Sequence, residues 1–190
     1  MAPTNPDPGS APTISSFATV TARGISFATE ALWRLLQREL DAALPGVRVT
    51  ARSPDKARDA GSGRQINLFL YHVSEDASRT DLHSAQQGRP YLALNLHYLL
   101  TAYGPDDQEM NSTGHAVLTE AMRILHANPV VVSGQPGSVE AVRLHVALHA
   151  LNVDDLFKLW AAFQTPYQIS VAYEVGTVLV GGDAPPQDRG

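Results

Sequence analysis

At 190 residues the chain is long enough for one domain with a sizeable core, and its 44% hydrophobic content argues against global disorder. A formal net charge of -5 gives no overall electrostatic footprint for nucleic acid or an anionic membrane. With no cysteine, disulfides, thiolate metal sites and cysteine nucleophiles are excluded.

In chain order, Met1 to Thr13 is rich in Pro, Ser, Gly and Asn and reads as a disordered tail. It lacks the charged and apolar regions of a secretory signal. No apolar run approaches the roughly 18 residues of a membrane span, so the expectation is a protein made in the cytoplasm. The first helix is predicted from Phe27 to Leu44. Leu32, Leu35, Leu36, Leu40 and Ala43 follow the helical period, with Arg34, Gln37, Arg38 and Asp41 on the other face. Pro45-Gly46 stops it. Val47 to Arg52 alternates as a short strand, and Ser53 to Gly63 reads as a polar loop.

Gln65 to Ser74 is a strand with two largely apolar faces, which places it inside a sheet. A polar connection, Glu75 to Gly88, leads to the run from Arg89 to Gly104. Leu92, Leu94, Leu96, Tyr98 and Leu100 share a strand face; Leu92, Leu96, Leu99 and Tyr103 would share a helical one. The unbroken even-position alternation favours the strand. Asp106 to Asn128 is a helix with a stripe of Val117, Leu118, Ala121, Met122 and Leu125, ended by Pro129. A turn-rich loop, Ser133 to Gly137, precedes a strand from Val139 to Leu148. A short helix follows, capped by Asn152, with Leu156, Leu159, Trp160 and Phe163 as its stripe. Tyr167 to Val180 is the last strand, long enough that it must curve or project past its sheet. Gly181 to Gly190 reads as a second disordered tail. The expected architecture is α+β: one domain over residues 14–180, a mixed sheet of about five strands and three main helices.

Chemistry is sparse. His145 and His149 lie four apart, but on a strand that is roughly 13 Å, too far for one ion. His72, His97 and His126 sit on different elements with no carboxylate cluster beside them, so neither a metal nor another cofactor is expected. There is no Gly-x-Ser-x-Gly elbow, and Gly61-Ser62-Gly63-Arg64 lacks the ending of a phosphate loop. Asp106-Asp107 and Asp154-Asp155 suit helix starts. Two alternatives to a purely structural protein stay open. One is a small hydrolase using Asn95 and His97, which sit among leucines mid-strand. The other is a weak nucleic-acid module using the basic stretch Arg48, Arg52, Lys56, Arg58 and Arg64.

Several ordered blocks carry a resemblance. They are Ile66-Asn67-Leu68-Phe69-Leu70-Tyr71; Arg89-Pro90 with Leu92 through Gly104; Ala121 through Pro129; Leu159-Trp160; and Pro166-Tyr167 through Val175. From about Val47 to Val180 the chain resembles the N-terminal domain family of the tube-terminator, or cap, proteins of extracellular contractile injection systems, which are phage-tail-like particles. Arg23 to Ala31 reads as an insertion near that family's opening helix. The resemblance implies a non-enzymatic structural role: a homohexameric ring on the baseplate-distal end of the inner tube, ending its growth and anchoring the last sheath layer. The implied partners are further copies of the chain, the inner tube protein and the contractile sheath protein, with no nucleic acid or membrane. The implied setting is a cytoplasmically assembled particle that the cell can release. Candidate interface residues are Arg48, Arg52, Asn95, His97, Thr177 and Leu179. The long last strand would suit addition to a neighbouring sheet.

Overall fold

The computed structural model describes residues 24–60, 63–77, 79, 92–105, 112–133 and 142–180. Both expected tails, the Gly61-Ser62 pair, the start of the Asp106 helix and most of the 133–137 loop lie outside the described residues.

Helix α1 spans Gly24–Ala43, and β1 (Arg48–Thr50) follows. The described part of the segment from Arg23 to Ala31 is helical and forms the first turns of α1. Ala28, Ala31, Leu32, Leu35, Leu36 and Leu40 are its buried stripe, and Ala43 is exposed at the end. The helix stops where Gly46 takes φ +86°, a conformation glycine adopts without steric cost. The expected loop after β1 contains a 3-10 helix, Pro54–Ala60. Strands β2 (Gln65–Glu75) and β3 (Leu92–Tyr103) come next, then α2 (Ser112–Ala127), β4 (Val130–Ser133), β5 (Val142–His149), α3 (Val153–Ala162) and β6 (Ser170–Val180). The run from Leu92 is thus a strand, as its alternation favours. Asn152 caps α3, its Oδ1 accepting from the Asp155 N–H at 2.8 Å.

The strands make one sheet in the order β1-β2-β3-β6-β5-β4. β1 runs parallel to β2, and every other pair is antiparallel. The protein is a single mixed α+β domain with one strand more than the patterning marks. The extra strand is Val130–Ser133, whose three consecutive valines suit an extended backbone. The last strand does not run past β3, and it lies between two strands along Ala172–Gly176. It pairs with β3 from Thr101↔Ser170 to Leu92↔Val180 and with β5 along Ala172–Gly176.

Helices α1 and α2 pack against one face. There Ile66, Leu68, Leu94, Leu96, Tyr98, Leu100, Tyr173, Val175 and Val178 meet the helical stripes. Each fully buried Leu contributes about 2 kcal/mol by leaving water. Tyr98 is wholly buried, its Oη 2.8 Å from Thr29 Oγ1 on α1. The α3 segment covers part of the other face, where Phe163 meets Phe69 edge-on at 5.4 Å and Trp160 at 5.8 Å. Among the described residues no helix is long and apolar enough to cross a membrane.

Candidate functional site

Two irregularities in the sheet decide which side chains meet. Between Leu70 and His72 the pairing with β3 skips Tyr71, so His72 stands opposite His97. Between Leu94 and Leu96 the pairing with β6 skips Asn95 on one strand and Gly176 with Thr177 on the other. The extra residue on β6 keeps Val175 and Val178 both on the core side. At Gly176 a Cβ would lie 2.9 Å from Asn95 Oδ1, so a side chain at this bulge would require the Asn95 amide to swing aside.

His72, His97 and Glu174 lie side by side across β2, β3 and β6. Diagonal to Glu174, whose direct partner on β5 is Ala147, stands His149. The His97 ring is 5.1 Å from those of both His72 and His149. Its Nε2 is 3.1 Å from Ser74 Oγ, and its Nδ1 is 3.9 Å from Glu174 Oε2. Burial is the main force holding His97 below its ordinary pKa. Glu174 pulls it up, while His149 and His72 push it further down. The imidazole is therefore neutral at physiological pH. The sequence predicts no carboxylate cluster beside the histidines; the structure sets a single carboxylate, Glu174, next to His97 and His149. His126 and His145 stand apart, on α2 and farther along β5.

Asn95 and His97 do not form the pair suggested for a hydrolase: His97 engages Ser74 and the other histidines, and Asn95 packs on Gly176. Ser74, His97 and Glu174 do fall in a nucleophile–base–acid line. The 3.9 Å from Nδ1 to the carboxylate is too long for a hydrogen bond, and Ser74 sits in a strand instead of on a strained turn.

The other candidates lie elsewhere. Arg48 is exposed on β1, and Arg52 is exposed just after it, its backbone held at both N–H and C=O by the Asn67 side chain. Arg48 aligns through Gln65 with Tyr103, six residues along β3 from His97 and hence about 20 Å away. Leu179 pairs with Ala93 at the far end of β6; the side chain of Thr177 lies outside the described residues. The candidates therefore do not share one surface: Arg48 and Arg52 are exposed beside β1, while His97 is buried in the middle of β3. In the basic stretch, Arg58 donates to the carbonyls of Gly63 and Gly104 and stacks over Tyr103, and Arg64 donates to the Pro45 carbonyl. Those two cations serve the fold.

The sheet margins differ. At β1 the outward backbone is closed by α1: Gln37 Oε1 accepts from the Val49 N–H, Gln37 Nε2 donates to the Val47 carbonyl and Trp33 Nε1 to the Val49 carbonyl. At β4, among the described residues, no strand pairs with the outer edge. Val130 is 40% exposed and Val132 47%; Leu148 on β5 is 60% exposed beside a groove of about 400 Å³ walled by Met122, Leu125, Pro129, Val146 and Tyr173.

This arrangement of helices on a mixed sheet is the fold of tube-terminating caps. It matches the PVC sheath/tube terminator of an extracellular contractile injection system in the extended state, with TM-score 0.62 and 20% identity over 86% of this chain and 58% of that one. It also matches the tube-terminating cap of the anti-feeding prophage, with TM-score 0.56 and 19% identity over 84% of this chain and 56% of that one. The chain belongs to the Pvc16 N-terminal domain family, whose model matches residues 28–190. It spans less than three-fifths of the length of either solved cap. No curated protein matches it in sequence.

Proposed function

We propose that the chain is the ring-forming part of a tube terminator: a homohexameric cap at the baseplate-distal end of the inner tube of a contractile injection system, touching the tube and the last sheath layer and carrying out no catalysis. The observation that carries this reading is the fold shared with a sheath/tube terminator over 86% of the chain. The margins of the sheet support it. A closed ring needs a heterologous contact, so one subunit must offer a surface that it does not itself satisfy. The β4 edge, with which no strand pairs among the described residues, lies near the exposed Val130 and Val132 and, on β5, Leu148, and so offers apolar area for such a contact. The β1 edge, closed by Gln37 and Trp33, does not. Exposed Arg48 and Arg52 at the β1 side, and Leu179 on β6 away from them, are the candidates left for separate contacts with tube and sheath, since His97 is buried.

Deleting the gene from a particle-producing strain tests this. The reading predicts tubes of uncontrolled length or loss of assembled particles by electron microscopy, and normal particles would sink it. In the complemented strain, Val132→Lys is expected to leave monomer stability unchanged within about 0.5 kcal/mol, because the side chain is on an exposed edge, yet to abolish rings. Intact rings from that variant would remove β4 from the interface.

A further inference from the structure

The geometry points to a site for one divalent transition-metal ion, with zinc the best fit, held by His97 Nδ1, a ring nitrogen of His149 and Glu174 Oε2. The three ligand atoms all lie within 4.8 Å of one another, and Glu174 Oε2 is 3.9 Å from Nδ1 of each histidine. Tetrahedral zinc, with bonds of about 2.0–2.2 Å, sets its ligand atoms roughly 3.4 Å apart. Small side-chain rotations therefore close the site. The freedom for this lies with Glu174 and His149, whose side chains are 39% and 35% exposed and so also leave an entry path.

The second, independent observation is His97 itself. The residue is 8% exposed, and its Nδ1 is buried without a hydrogen-bond partner. A native interior seldom leaves such an atom unsatisfied. Its other nitrogen is anchored on Ser74 Oγ, as a metal-bound imidazole is held by an outer partner that fixes its tautomer. Two imidazoles and one carboxylate are the donor set that zinc and its divalent neighbours favour over calcium or magnesium. Metal here would tie β3, β6 and β5 together across the sheet.

The test uses the full chain after chelator treatment, with zinc chloride as the probe in titration calorimetry and cobalt(II) as a spectroscopic stand-in. One ion per chain and the visible absorption bands of tetrahedral cobalt are expected. Glu174→Gln and His149→Ala, both at half-exposed positions that leave the core intact, should each weaken binding at least about tenfold. His126→Ala, remote from the site, should leave it unchanged. No binding in the wild-type chain, or an unchanged affinity in the Glu174→Gln/His149→Ala double variant, would overturn the assignment.

Discussion

Tyr98 ties the central strand to α1 and makes the fold sensitive to alkali. Its ring is wholly buried, and its hydroxyl meets Thr29 Oγ1 at 2.8 Å. Burial pushes its pKa from 10.0 up to about 12, the hydrogen bond to Thr29 offsetting a smaller part. The folded chain thus holds this proton more tightly than the unfolded chain does. The stabilisation is complete below pH 10 and is lost as pH rises through 12. Two pKa units at about 1.4 kcal/mol each amount to about 3 kcal/mol, a large share of the roughly 5–15 kcal/mol that holds a domain folded. Tyr98→Phe gives up the bond to Thr29, costing about 1 kcal/mol at neutral pH, but has no phenol to ionise. Urea denaturation of both proteins at steps from about pH 8 to 12 should show the wild type falling more steeply, until the variant is the more stable. The variant keeps a residual slope from Tyr103, whose pKa burial also raises to about 12. Parallel curves from the two proteins would refute the burial argument.

Two further substitutions test how the sheet is closed and bent. Gln37→Ala strips the Val49 N–H and the Val47 carbonyl of their side-chain partner. It should cost about 1–3 kcal/mol in urea and, with the β1 edge partly opened, produce concentration-dependent self-association in sedimentation. Gly176→Ala brings a Cβ against Asn95 Oδ1, which must rotate aside, and should lower stability by about 0.5–1.5 kcal/mol in thermal denaturation. Adding Asn95→Ala should recover most of that loss, and an unrelieved double variant would show that backbone strain, not this contact, is the cause.

Much of the fold was legible in the sequence because it rests on local periodicity. Leu32, Leu35, Leu36 and Leu40 announce α1, and Leu94 to Leu100 alternate across β3 as they do in the structure. Asn152 caps its helix as its side-chain chemistry suggests. What stayed hidden depends on pairing between distant segments. Val130 to Ser133 is too short to show a period and becomes a strand by lying against β5. The last strand's length left open whether it curves or overhangs, and its pairing with β3 along its whole length, through a bulge, decides against overhang. The histidine–glutamate cluster was invisible for the same reason. It needs the bulge at Tyr71 to set His72 opposite His97, and the β3-β6-β5 order to bring Glu174 and His149 alongside. No spacing within one segment records such register. The signal nearest to it was a lone His97 among leucines.

The most direct test of the terminator reading is to locate the subunit by cryo-electron microscopy of purified particles from the native strain. The account predicts six copies in a ring at the baseplate-distal end of the tube, with the β4 edge of each subunit against its neighbour. Absence of the chain from intact particles, or density for it at the baseplate, would contradict that account.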